Sequence, residues 1–202
     1  MCLFCVRALT AIALESRIES SLLERCLKED QRAQSELYKI LYRQLIGTCW
    51  RYASDKEQAV EYLNLGFVRI LMNLKQYRPE VPFELWARRV TINTIINEFK
   101  KNKAWKDRNR VGLPENTANR SEDSDLSGAQ QEMLEAIRSK ALQLPPMTLK
   151  VFNLFAIDGY SHSEISAMLG ISEGTSAWHY SDAKRRIREG LGIEKPKKHA
   201  EQ

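Results

Sequence analysis

The chain has 202 residues, a hydrophobic fraction of 43% and a formal net charge of +5, ordinary for folded soluble protein and enough for one medium or two small domains. The basic excess suits nucleic acid but falls well short of a histone-like polyelectrolyte, so charge alone selects no partner. All four cysteines, Cys2, Cys5, Cys26 and Cys49, lie in the first quarter, which excludes a disulfide framework spanning the chain and points to reduced thiols in the cytoplasm.

Residues 1–19 form an apolar leader, interrupted by Arg7. It is too short to span a bilayer and lacks a small-residue cleavage site, so neither a signal peptide nor membrane insertion is expected. It reads as a frayed leader or the first turns of an amphipathic helix. Cys2 and Cys5 have the spacing of half a zinc site, but no second pair follows and all three histidines lie beyond residue 160. No metal and no other cofactor is expected.

Residues 20–102 contain no proline before Pro79 and only two glycines, and their apolar positions recur at helical spacing. Leu37, Ile40, Leu41, Leu45, Cys49 and Tyr52 mark one helical face, and Ala59, Leu63, Phe67, Ile70 and Leu74 mark another. Tyr62, Leu65, Val68, Arg69 and Met72 fall opposite the second stripe. Two readings stay open for this extra apolar patch: a neighbouring helix covers it, or a larger protein docks there.

Pro79 and Pro82 forbid continued helix and make a short, stiff loop, after which a third helix is expected from Phe83 to about Lys101. Its apolar side carries Leu85, Ile92, Ile96 and Phe99. Trp86, Arg89, Asn93, Asn97 and Lys100 share a narrow arc on another side, where an aromatic, two amides and two cations can stack on an unpaired base, bond its edge and hold its backbone. A Trp at helical spacing is also a common core residue and Asn a common solvated one, so the arc alone does not decide.

Residues 103–129 turn basic and then polar and acidic, with almost no large apolar side chains, and read as a flexible linker. Residues 130–192 form a second helical domain. Met133, Leu134, Ile137, Ala141 and Leu144 mark its first helix, Pro145 and Pro146 end it, and Val151, Leu154, Phe155 and Ile157 mark the next. Residues 193–202 are a loose basic tail.

The second domain closes on a helix-turn-helix cassette, residues 160–191. Ser161 with Glu164 fits a capping box, Gly170 a tight turn, and Ser172 the cap of the following helix. In that helix Ser176, Tyr180, Ala183, Ile187 and Leu191 share one side, toward Ile165 and Leu169. Gly174, Thr175, Ala177, Trp178, Ser181, Lys184, Arg185 and Arg188 then face outward, small residues early and cations late. Such a helix suits a major groove, base edges first and phosphates after; cations at a helix end also occur as a solvated face favoured by the dipole. The predicted architecture is all-α: two small helical domains joined by a flexible linker.

Two runs then carry a resemblance. EYLNLGFVRILMNLKQY with PFELWARRVTINTIINEFKK resembles region 2, and LPPMTLKVFNLFAIDGYSHSEISAMLGISEGTS resembles region 4, of the extracytoplasmic-function (ECF) sigma factors of the sigma-70 family. The resemblance implies an initiation factor that binds RNA polymerase core and promoter DNA, with a region 2-like bundle and a region 4-like helix-turn-helix. It puts Tyr62, Asn64, Leu65, Phe67 and Arg69 toward polymerase. It gives the melted minus-ten strand to Phe83, Trp86, Arg89, Asn93, Asn97 and Lys100, with a flipped base at the 79–83 loop. It gives the upstream minus-thirty-five duplex to Ser172, Gly174, Thr175, Ala177, Trp178, Lys184, Arg185 and Arg188. An anti-sigma factor clamping the two domains is a further partner of the kind it implies.

Three departures from the family pattern stand out. Asn64 and Leu65 replace a glutamine and an acid, which shifts the polymerase contact toward apolar burial. Ser176 replaces a frequent Val, which is expected to weaken one packing contact. Ala177, Trp178 and His179 replace a commonly basic run, leaving the phosphates to later cations and the base preference unread. With no Gly-rich phosphate loop, catalytic triad or metal cluster in the sequence, no enzyme activity is expected. The rival reading is a free-standing dimeric helix-turn-helix regulator, in which the extra apolar patch is the dimer surface.

Overall fold

The computed structural model describes residues 18–109 and 128–193. The leader with Cys2 and Cys5, most of the expected linker and the basic tail lie outside the described residues. The chain divides into two compact units, Met1–Glu122 and Asp123–Gln202, and all regular structure among the described residues is helical.

The first unit holds α1 (Ser20–Leu27), α2 (Gln31–Trp50), α3 (Lys56–Asn73), a 3-10 turn (Leu74–Gln76) and α4 (Phe83–Asn109). Asp30 caps α2 by accepting from the amides of Arg32 and Ala33, and Asp55 caps α3 by accepting from the amide of Gln58. Each cap satisfies amide donors that the first helical turn leaves without a partner. Leu37, Leu41, Leu45 and Cys49 of α2 pack inward with Leu63 and Ile70 of α3 and Ile92, Ile95 and Ile96 of α4. Burial pushes the Cys49 thiol up to about 12, so it stays protonated and acts as a small hydrophobe.

A single glycine sets the crossing of α3 and α4. A Cβ on Gly66 would lie 2.8 Å from Cγ2 of Thr91, itself wholly buried, so only glycine lets the two backbones approach this closely. Gly66 thus lies in the buried row of α3, with Ala59, Tyr62, Leu63 and Ile70.

Two residues sit differently from the helical stripes read in the sequence, and one helix runs longer than expected. Tyr62 is only 3% exposed and packs edge-on against Phe99 of α4 at 5.9 Å between ring centroids. Leu85 is exposed, because Pro82 fixes the entry of α4 so that Phe83, Ala87, Thr91 and Ile95 turn inward instead. Helix α4 continues to Asn109, well into the segment expected to be linker.

The second unit holds α5 (Gly128–Ala141), α6 (Pro146–Phe152), one π-helical turn (Asn153–Ile157), α7 (His162–Leu169) and α8 (Glu173–Gly190). Met133 of α5 is exposed rather than core. Ala141, Leu144, Leu149, Ala183 and Ile187 form a cluster joining α5 and α6 to α8, with Ile137, Phe152 and Leu191 packed at its edge. Ser161 and Glu164 form the reciprocal capping box of α7, and Gly170 ends that helix at φ +67°. Ser172 then caps α8 by accepting from the amide of Thr175 at 3.0 Å.

Candidate nucleic-acid interface

The loop before α4 carries an aromatic trio. Tyr77 lies edge-on to Phe83 at 5.1 Å, and Trp86 lies 5.4 Å from each of them. The Tyr77 hydroxyl donates to the Val81 carbonyl at 2.9 Å, tying the turn between the two prolines to the same ring. Burial, then Glu84 and Glu80, raise the Tyr77 pKa, so the phenol remains a donor.

Phe83 is 3% exposed. Its expected contact with an unpaired strand is thus corrected: the ring turns inward because it opens the buried row of α4, and it supports Trp86 from below. Trp86 is half-buried, while Arg89, Asn93, Asn97 and Lys100 continue its arc as exposed residues. Helical spacing does not reveal Tyr77; its signal in the sequence is an aromatic just ahead of Pro79 and Pro82, which pin its distance from Phe83.

Asn97 and Lys100 also line an open groove of about 300 Å³ with Arg69, Thr94, Glu98 and Lys101. Arg69 of α3 thereby stands beside the cationic end of the α4 arc. Lys101 is ion-paired with Glu98 at 2.7 Å.

On the other side of α3, Asn64 is exposed and its Oδ1 accepts from the Tyr38 hydroxyl at 2.8 Å. Phe67 is half-buried with its ring edge-on to Tyr38 at 5.0 Å. Leu65 is half-buried, Val68 and Met72 are exposed, and together they make a short apolar row. Tyr62 takes no part in it: the tyrosine is core, desolvation drives its pKa up to about 12, and its placement at the polymerase face is corrected accordingly.

In the second unit α8 presents the outward side expected of it. Gly174, Thr175 and Trp178 are exposed, with Trp178 at 61%, and Ala177 is half-buried. Ser172, the cap, is exposed and its Oγ lies 2.8 Å from Oγ1 of Thr175. Ser176 is wholly buried, yet its hydroxyl is not an orphan: Oγ lies 2.9 Å from Nδ1 of His162. The expected loss of packing at Ser176 is thus offset by a hydrogen bond that ties α7 to α8, and His162 in turn stacks on Phe155 at 4.2 Å.

The cations of α8 differ in how they are held. Arg186 and Arg185 both donate to Asp182, and Arg185 also pairs with Glu189 at 3.0 Å. The Arg186 hydrogen bond, seconded by Arg185, holds the Asp182 carboxyl below its ordinary range. The Lys184 ammonium lies over the Tyr180 ring, 4.6 Å from its centroid. Arg188 is exposed on the last turn.

Among the described residues no cluster of His, Cys, Asp and Glu could hold a metal ion, and no helix is long and apolar enough to cross a membrane.

An aromatic-backed arc of amides and cations in one helical unit, and a capped helix-turn-helix with a basic outer face in the other, define a two-part DNA-binding protein. Residues 37–104 match the family model of sigma-70 region 2, and residues 134–187 match that of sigma-70 region 4. The RNA polymerase sigma factor SigZ of Bacillus subtilis is 27% identical over 139 residues, 69% of this chain and 72% of the relative. The ECF RNA polymerase sigma factor SigE of Mycolicibacterium smegmatis is 25% identical over 70% of this chain and 55% of its own length. The fold is also that of the sigma factor RpoE, solved in complex with the anti-sigma factor NepR from Bartonella quintana, with TM-score 0.53, 14% identity, and coverage of 80% of this chain and 98% of that one.

The chain belongs to the sigma-70 family and is an ECF-type RNA polymerase sigma factor. It binds core polymerase and directs promoter recognition, melting and initiation.

Proposed function

We propose that the two units divide the promoter between them. Trp86, Arg89, Asn93, Asn97 and Lys100 take the melted minus-ten strand, Trp86 stacking on an unpaired base with Tyr77 and Phe83 as its backing. The 79–83 loop holds the flipped base. Ser172, Gly174, Thr175, Ala177, Trp178, Lys184, Arg185 and Arg188 face the minus-thirty-five duplex. Asn64, Leu65 and Phe67, with Val68 and Met72 beside them, meet polymerase, and Arg69 stands at the border between polymerase and strand.

The observation that carries this reading is the half-buried Trp86, braced by two rings at 5.4 Å and continued by exposed Arg89 and Asn93. A protein that reads only duplex has no use for such a platform. An indole fixed in this way loses little freedom when a base stacks on it, and such stacking contributes about 1–3 kcal/mol.

The protein itself performs no catalysis in this account. It acts in the cytoplasm, where polymerase carries out the chemistry. An anti-sigma factor, like the NepR partner of the similar RpoE, would mask the apolar row of α3 and so exclude polymerase.

The test compares holoenzyme binding to a promoter whose minus-ten element is already mispaired with binding to an upstream duplex fragment. Trp86→Ala should weaken the first about tenfold and leave the second within about twofold. Equal losses on both would contradict the division.

A further inference from the structure

The head of α8 is poor in the side chains that read bases by hydrogen bonds. From Glu173 to Tyr180 there is no Arg, Lys, Asn or Gln, the residues that make two-point contacts to guanine or adenine. The polar groups that remain in these two turns are largely engaged. The Thr175 hydroxyl lies 2.8 Å from the capping Ser172 hydroxyl, Ser176 is buried against His162, and Nδ1 of His179 lies 2.9 Å from Oγ1 of Thr148, which is buried in α6.

Trp178 stands out among them. It lies on the side of the helix opposite Ser176, Tyr180 and Ala183, and it is 61% exposed. Its indole rests edge-on against the His179 ring, 5.0 Å between centroids. Since Thr148 holds His179, the indole has a fixed brace rather than a free swing. One turn earlier, Gly174 keeps a negative φ, and a Cβ there would meet nothing nearer than the Ser172 hydroxyl at 3.8 Å. The fold therefore does not require glycine at 174, and its bare backbone leaves room for a close approach beside the indole.

The major-groove edges of the base pairs carry one apolar group, the 5-methyl of thymine. We infer that Trp178, braced by His179 and Thr148, reads the upstream element by packing on a thymine 5-methyl, and that Gly174 lets that edge of the duplex come close. This rests on the proposed role of α8 at the upstream duplex. The later cations, Arg188 foremost, supply the sequence-independent attraction to phosphate, and specificity at the head of the helix comes from apolar contact.

The experiment uses holoenzyme and a duplex selected by it from a pool randomised over the upstream element. The selected duplex is then made with each thymine in turn replaced by deoxyuridine, which removes only the methyl. Loss of one buried methyl should weaken wild-type binding about fourfold at one or two positions, and those positions should show no further loss with Trp178→Ala. Gly174→Ala should keep the helix folded, read by circular dichroism, and still weaken binding.

Four results would overturn the inference: a selected element without thymine, wild-type binding indifferent to deoxyuridine, the same deoxyuridine effect in wild type and Trp178→Ala, or sensitivity confined to 7-deazaguanine, which would assign the indole N–H instead. Loss of core binding by Trp178→Ala with no deoxyuridine effect would put the indole on polymerase and equally overturn it. In all five cases specific duplex binding by the wild type leaves the role of α8 standing. Failure of the wild type to select any duplex would remove that role, and the inference with it.

Discussion

The Ser176 hydroxyl, wholly buried in α8, and Nδ1 of His162 in α7 lie 2.9 Å apart and join the two helices of the helix-turn-helix by a side-chain hydrogen bond. Such a bond contributes about 1 kcal/mol, and more is lost when one partner is left buried alone. Ser176→Ala should therefore lower stability by about 1–2 kcal/mol in denaturant unfolding. The same change made in a His162→Ala background should cost clearly less, the difference being their coupling. Strictly additive losses would contradict a bond between them.

Gly66 and Thr91 make the corresponding contact in the first unit. Gly66→Ala should destabilise this unit by about 1–3 kcal/mol, because the added methyl meets Thr91 at 2.8 Å across backbones that cannot easily part. Thr91→Ala removes the atoms it meets, and the double variant should recover part of the loss in a thermal or urea melt. The Thr91 hydroxyl donates to the Ala87 carbonyl of its own helix, so recovery should be incomplete.

These two contacts show what was legible in the sequence and what was not. Ser161, Glu164, Gly170 and Ser172 could be read directly, since capping is local and depends on a polar or glycine residue at a fixed offset. The buried row of α4 was harder, because Ala87 and Thr91 carry little hydrophobic signal and Leu85 carries a strong one one step out of line. Tyr62 is missed for a related reason: it shares the buried row of α3 with Ala59, Leu63, Gly66 and Ile70, and Gly66, its neighbour one turn on, carries no hydrophobic signal. At the site, the arc from half-buried Trp86 through exposed Arg89 and Asn93, and the outer face of α8, follow from helical spacing. The Tyr77 brace and the partner of Ser176 depend on contacts between elements, whereas the pairs of Arg185 with Asp182 and Glu189 are local to α8 at three- and four-residue spacing.

Arg188 and Arg185 should differ in their effect on DNA. Arg188→Ala should weaken upstream duplex binding across all sequences and lower the slope of log K against log salt by about one. Arg185→Ala should do less, because its guanidinium is already shared between Asp182 and Glu189. Salt titrations of holoenzyme binding to an upstream duplex check both. An equal change in slope for the two would argue against the ion-pair assignment.

Asp182 predicts an acid dependence of stability. Its carboxyl is held below the ordinary value by Arg186 and then Arg185, so the unfolded chain binds its proton more tightly than the folded one. The stabilisation is complete at neutral pH, starts to fade as pH drops through the unfolded value of about 3.9, and is gone below the folded pKa. Urea midpoints measured from pH 7 down to acid should fall less steeply in Asp182→Asn than in the wild type. Parallel curves would contradict the pairing.

The most direct measurement is transcription by sigma-free core polymerase on fragmented genomic DNA, with and without the protein. Adding it should give discrete run-off transcripts absent from core alone, and pull-down should recover protein and core together. A protein that fails to bind core, or that leaves the transcript pattern of core unchanged, would contradict the account at its centre.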